Sequence, residues 1–290
     1  MAQKKKKKMT ITQFILIYIA ILSLILLGIS ACSNEVNSGN TQVVETPDTP
    51  TEVITTSTIQ NYIDTPEPIE TPLKGALSGL KVCIDPGHQQ TPPEGKETIA
   101  PWSSDTKLKN THGATGISTK IEEYKTNLEI ALKVRDTLEK EGAEVVMTRE
   151  DNESTHISNQ DRANIANNAG VNLTISIHCN SADSQNIAGI ETYTRGSGDG
   201  TAEYKERSDK EFALSQKLLS SVAATTGAAA RDAHKSDAYT GINFAKYPTF
   251  ILECGFISNP DEDQKLNSAE YQQKIADGIL SFLKDNKGSF

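Results

Sequence analysis

A single α/β domain, with a mainly parallel twisted sheet and helices on both faces, is predicted for residues 78–290 on three observations. Apolar runs of strand length alternate with longer runs of helical period along the whole stretch. Alternation of that kind favours parallel strands joined by crossover helices. Three of the strand runs also stop at a residue that carries chemistry, His88, His178 and Glu253. In a parallel sheet such ends share one edge, which is where ligands bind.

Taken in order, "LKVCID" (80–85) reads as a buried strand that breaks at Asp-Pro-Gly and delivers His88. A helix is expected over about 120–141, opened by a capping-box pattern of Thr119 with Glu122 and closed by Gly142. "AEVVMT" (143–148) is a second strand, and "NQDRANIANNAG" a helix ended by Gly170. "VNLTISI" (171–177) and "GIETYT" (189–194) are further strands, followed by a helix near 202–225 and an irregular segment. The strand "TFILEC" (249–254) and an amphipathic helix over about 268–285 complete the domain.

Residues 86–119 break this rhythm. They hold prolines, glycines and the only tryptophan, Trp102, without periodicity. A loop so long within a compact domain is usually functional or disordered, and its place after His88 suggests a flap at a site edge. Trp102 either stacks on a sugar ring or pins the loop to the domain.

The segment before the domain is of a different kind. Lys4–Lys8 precede an apolar run from Phe14 to Leu27 that ends in "ISAC". A basic n-region, a short h-region and small residues before Cys32 resemble a bacterial lipoprotein signal, with residues 1–31 removed and Cys32 lipidated; the other reading is an uncleaved anchor. Residues 32–77, Thr- and Pro-rich and acidic, show no apolar periodicity and read as a disordered linker. As a flexible coil the linker would span roughly 35–40 Å. Either reading puts the domain outside the cytoplasm, held on the outer face of the cytoplasmic membrane.

Composition narrows the function. Residues 78–290 carry 23 Lys and Arg against 31 Asp and Glu, so a nucleic-acid partner, which needs a basic face, is not expected. Cys83, Cys179 and Cys254 are an odd set lying in apolar runs; they read as packing thiols rather than a disulfide framework, with a redox or metal role as the alternative.

The acids near the two histidines separate by helical geometry. At 100° per residue Glu123 falls within about 20° of Ile130 and Val134, on the apolar face. Glu122 aligns instead with Glu129 and Lys133 on a solvated stripe. An inward Glu123 needs a partner for its charge: a metal ion, or else the dipole of the helix start. Two histidines and one carboxylate with an open fourth position form the pattern of a catalytic zinc site. Glu253 is then left beside the metal as the general base. His112, His156 and His234 read as surface residues.

At these residues the chain resembles a known family. "IDPGH", "EEYKTNLEIALKV", "MTRED", "DRANIAN", "SIHCNSA" and "ILECGFISNPDED" are similar, in order and spacing, to the motifs of the zinc-dependent N-acetylmuramoyl-L-alanine amidases of the amidase-3 type, over about residues 80–285. The resemblance implies one zinc ion held by His88, Glu123 and His178, with Glu253 catalytic. It implies peptidoglycan as substrate and hydrolysis of the amide between N-acetylmuramic acid and L-alanine. Asn180 and Arg149 are expected at the substrate; Arg149 and Arg162 are also candidates for structural ion pairs. Departures are "QQ" after His88 where two glycines are usual, Cys179 and Cys254 at positions usually otherwise occupied, and a long flap. The rival readings are a zinc peptidase cutting within wall peptides and a non-catalytic wall-binding lipoprotein. The pattern names no protein regulator.

Overall fold

A computed structural model describes residues 75–153 and 156–290 of the chain. The signal segment 1–31, Cys32 and the linker up to residue 74 lie outside the described residues. Just ahead of residue 78, Leu77 is fully buried in the core and its N–H donates to the Glu141 carbonyl.

Among the described residues six strands form one sheet: β1 (Lys81–Pro86), β4 (Glu144–Met147), β5 (Leu173–Asn180), β6 (Ile190–Arg195), β7 (Ala230–Ser236) and β8 (Thr249–Phe256). Their spatial order is β4-β1-β5-β8-β6-β7. Every neighbouring pair is parallel except β6 with β8, so the expected mainly parallel sheet is present. Two further short strands, β2 (Lys96–Thr98) and β3 (Thr106–Leu108), form an antiparallel hairpin inside the loop that follows β1.

Pleating sends alternate residues of a strand to opposite faces, and both faces are covered. Val82 and Ile84 join a large apolar core with Ile130, Val134 and Leu138 of helix α1 (Glu123–Lys140), Leu218 and Val222 of α3 (Ala202–Thr226), and Ile275, Ile279 and Phe282 of α6 (Ala269–Asn286). Fully burying a side chain of this size is worth roughly 1.5–3 kcal/mol. Cys83 points the other way, onto Ala166 of α2 (Asn159–Ala169) and Val171. Two short helices, α4 (Thr240–Asn243) and α5 (Pro260–Leu266), lie in segments that the apolar pattern leaves unassigned.

Local chemistry sets the helix ends. Ser158 caps α2 in a reciprocal capping box with Asp161, and Gly170 ends it at a φ of 65°. The expected box at Thr119 and Glu122 does not form. Helix α1 begins at Glu123 with no side-chain cap, and Lys120 takes a φ of 61° just before it. Thr119 Oγ1 instead donates to Asp263 Oδ1 at 2.8 Å. Asp263 also accepts the Ser118 and Thr119 N–H groups at 2.7 Å each. A buried carboxylate outcompetes the local cap because its full charge makes the stronger acceptor.

Candidate metal centre and active site

The site grows from the carboxyl ends of three adjacent strands. Strand β5 runs on through His178 to Asn180, and β8 through Glu253 to Phe256. Both are longer than their apolar runs. His178 stands opposite Glu253, with a register irregularity between His178 and Asn180. His88 leaves β1 in the left-handed region at a φ of 59°, a conformation that a non-glycine residue holds only when its surroundings over-determine it.

Those surroundings are specific. Arg162 donates to the Pro86 and His88 carbonyls at 2.7 and 2.8 Å. Arg149 donates to the Pro86, Gly87 and Tyr124 carbonyls. Asn127 donates to the Gly87 carbonyl at 3.2 Å. Gly87 has no substitute here, since a Cβ on it would fall 2.2 Å from the His178 ring. Gly113 is equally constrained, with a φ of 79° and Glu123 Oε2 2.4 Å from where its Cβ would lie.

Glu123 is the meeting point. It is 5% exposed, as its place on the apolar helix face predicts, while Glu122 pairs with Lys125 in the open. Its Oε1 lies 3.4 Å from His88 Nε2 and 3.2 Å from His178 Nδ1. Its carboxylate accepts the Ala114 N–H at 2.9 Å, the Cys179 N–H at 3.3 Å and Asn127 Nδ2 at 3.2 Å. Burial opposes the charge on Glu123, but the adjacent His178 and His88 imidazoles outweigh it and hold the carboxyl well below its usual range. His88 Nδ1–H donates to the Thr111 carbonyl at 3.0 Å, which leaves the Nε2 lone pair facing the cluster. Burial pushes the His178 pKa down, towards the neutral imidazole that binds metals.

The donor set fits a divalent cation. One ligand atom from each of His88, Glu123 and His178 lies within 4.8 Å of the others. Beside them Glu253 is 9% exposed, and its Oε2 has no hydrogen-bond partner. Burial first, then the charges of Glu123 and Glu191, push its pKa well up. An unpartnered carboxylate in such a place is costly unless a cation, water or substrate meets it. All four residues line one cavity of about 600 Å³.

The remaining expected residues fall as follows. Asn180 lines the cavity, where Nδ2 donates to Glu191 Oε2 at 3.1 Å and Oδ1 accepts the Ser181 N–H. Arg149 is 3% exposed and commits all its N–H groups, to Pro86, Gly87, Tyr124, Asp151 and Asn152. The expectation that it touches substrate is corrected accordingly: it holds the His88 loop from behind. Arg162 pairs with Asp85 at 2.5 Å. The three cysteines are free and buried. Trp102 packs edge-on against Tyr204 of α3, ring centroids 5.0 Å apart, which is the pinning role. His112 and His156 are exposed, and His234 stacks on Tyr193 at 4.6 Å.

Four participants have no clear sequence signal. Asn127 follows Glu123 by one helical turn and ties it to Gly87; its spacing of four was the available hint. Glu191 lies opposite Glu253 across β6 and β8, holds Asn180, and is held by Arg231 at 2.8 Å. Glu191, Asp232 and His234 also bring ligand atoms within 4.8 Å, but Arg231 already neutralises Glu191. Lys107 and Tyr239 line the cavity from the hairpin and from the segment before α4.

Comparisons with known proteins show the family to which this domain belongs. A family model described as N-acetylmuramoyl-L-alanine amidase matches residues 82–285. Over 216 residues the chain is 31% identical to the N-acetylmuramoyl-L-alanine amidase LytC of Bacillus subtilis (strain 168), an alignment covering 73% of this chain and 37% of that protein. The chain thus spans little more than a third of that relative's length. It is 31% identical over 215 residues to the germination-specific N-acetylmuramoyl-L-alanine amidase of the same organism, covering 70% of this chain and 78% of the relative. The crystal structure of N-acetylmuramoyl-L-alanine amidase from Clostridium difficile 630 is similar with a TM-score of 0.58 and 27% identity, over 72% of this chain and 97% of that one.

Proposed function

Because the chain belongs to the N-acetylmuramoyl-L-alanine amidase family, we propose that it hydrolyses the amide joining N-acetylmuramic acid to the L-alanine of peptidoglycan stem peptides. The observation that carries the reading is the buried, unpartnered Oε2 of Glu253 beside the His88–Glu123–His178 trio.

In this reading His88, Glu123 and His178 hold one zinc ion, and Glu253 is the general base. Bound there, zinc supplies Lewis-acid chemistry, polarising the scissile carbonyl and acidifying a water. Glu253 takes the proton of the attacking water at its free oxygen and returns it to the departing alanine nitrogen. A carboxyl raised above its ordinary range by burial is a better proton acceptor than a solvated one, which suits that task. Asn180, on the cavity wall, offers its amide to the substrate. Asn127, Arg149 and Arg162 keep the His88 loop rigid so that the ligands meet without reorganisation.

We read the amino-terminal segment as a lipoprotein signal with Cys32 lipidated and residues 78–290 as the catalytic domain. The domain then works outside the cytoplasm on the outer face of the cytoplasmic membrane, with peptidoglycan as its partner. The sequence pattern around Cys32 supports this. Among the described residues no helix is long and apolar enough to cross a membrane. The test is metal analysis of the purified full-length chain together with mass spectrometry of digested peptidoglycan. One zinc per chain and stem peptides released with a free L-alanine amine are expected. Cuts inside the stem would replace the amidase reading with a peptidase, and neither metal nor cutting would leave a binding module.

A further inference from the structure

This inference rests on the amidase reading and concerns which stem peptides the site prefers. The cavity above the trio is lined by the carboxylates of Asp85, Glu123 and Glu253 and by two cations, Arg162 and Lys107. Arg162 is committed to Asp85 and to the carbonyls of the His88 loop. Lys107 is not. It stands on β3 of the hairpin, where its Nζ donates to the Ala238 carbonyl at 3.1 Å and lies 5.8 Å from the centre of the Tyr239 ring. Glu97 is its partner across the hairpin register, yet no ion pair forms between them. Glu97 Oε2 instead accepts the Gln160 N–H, and its Oε1 has no hydrogen-bond partner.

An ammonium has three N–H groups, and among the described residues only one of these has a protein acceptor. Burial lowers the Lys107 pKa, and the charge of Glu97 across the hairpin offsets this only in part, as expected of a cation that has given up hydration without a directly paired carboxylate. The hairpin that carries it is firmly held. Trp102 packs on Tyr204, and Asn243 Nδ2 donates to the Ile99 carbonyl at 2.8 Å. Lys107 is therefore a fixed, half-buried positive charge on the cavity wall. The amide to be cut is neutral, whereas the stem beyond L-alanine carries carboxylates; a D-glutamate joined through its γ-carboxyl presents a free α-carboxylate. We propose that Lys107 is a specificity-determining residue that pairs with a stem-peptide carboxylate, so that acid stems are cut in preference to their carboxamide forms.

The test compares N-acetylmuramoyl-L-alanyl-D-glutamate with N-acetylmuramoyl-L-alanyl-D-isoglutamine, which differ only in carboxylate against carboxamide, using the full-length zinc-loaded chain. One partly exposed charge-assisted pair predicts a kcat/KM about tenfold higher for the acid. Lys107→Met should lose about tenfold on the acid and little on the amide, and Lys107→Arg should keep most of the preference. Equal cleavage of both by the wild type, or a preference that survives Lys107→Met, would overturn the proposal while leaving the amidase reading intact. If Lys107→Met does not fold, the wild-type ratio and Lys107→Arg decide. Release of peptide from neither probe nor from whole peptidoglycan would remove the amidase reading itself.

Discussion

The guanidinium of Arg162 lies 2.5 Å from the carboxylate of Asp85, although 77 positions separate them in the chain. The pair ties helix α2 to strand β1 directly beneath the loop that presents His88. Thr148 Oγ1 and Ser176 Oγ donate to the same carboxylate. Burial alone would raise the pKa of Asp85; the Arg162 charge and the hydrogen bonds from Ser176 and Thr148 outweigh it and bring the value from 3.8 to about 2.

A pH dependence of stability follows. The folded pKa lies below the unfolded one, so the contribution is complete above about pH 4 and is lost as pH falls towards 2. Its size is on the order of 2 kcal/mol. Urea unfolding at pH 5 and at pH 2.5 should show this loss in the wild type and a smaller one in Asp85→Asn. At pH 7 Asp85→Asn should destabilise by about 3–5 kcal/mol, because Arg162 stays buried without its counter-charge. Equal pH slopes for the two proteins would show that Asp85 is not the group responsible.

Glu253→Gln keeps the shape of the base and removes its function. Activity on peptidoglycan should fall by about 10²–10⁴, with zinc content unchanged by atomic absorption. His178→Ala should instead lose the metal. A Glu253→Gln protein with full activity would end the assignment of the base.

Gly87→Ala tests the close approach of backbone to ring. The added methyl would lie 2.2 Å from the His178 imidazole, so the ring must leave the cluster. Zinc binding and activity should both be lost, with stability reduced by about 1–3 kcal/mol. Normal zinc stoichiometry in this variant would contradict the packing described.

Asn127→Leu removes the amide that joins Glu123 to the Gly87 carbonyl. Supporting residues of this kind typically contribute 10–100-fold to metal affinity. Competition with a chromogenic chelator should show a loss in that range while the fold, followed by circular dichroism, is retained. An unchanged zinc Kd would mean that Glu123 needs no help from Asn127.

Removing the metal should also lower thermal stability. A ligand that binds only the folded state stabilises it by about 2.7 kcal/mol at a hundredfold excess over its Kd. A chelator should therefore lower Tm and added zinc restore it, with no such response in His178→Ala.

Much of the domain can be read from sequence because burial leaves a periodic trace. The strands of β1, β5 and β8 are buried on both faces and appear as apolar runs, and Glu123 is separated from Glu122 by the face of α1 it shares with Ile130 and Val134. Strand β7 has no such trace. "ARDAHKS" is a half-exposed edge strand, and a polar edge keeps a sheet from pairing further. The hairpin β2–β3 is only three residues a side, and Lys107 gains meaning solely from the cavity it borders. The cap of α1 fails as a local prediction because Asp263, 144 residues from Thr119, takes that hydroxyl.

The sequence by itself determined the chemistry available at this site: two imidazoles and a carboxylate at strand ends, an inward glutamate, and glycines where no Cβ fits. Their types and local spacing follow from short-range sterics and from the period of burial. Tertiary structure alone decided the rest. It set the antiparallel β6 against β8 that brings Glu191 opposite Glu253, committed Arg149 to the loop rather than the cavity, and put Lys107 on the wall without a direct ion pair. Those outcomes depend on which distant acceptor wins each donor, a competition settled by long-range packing and absent from any local window of the chain.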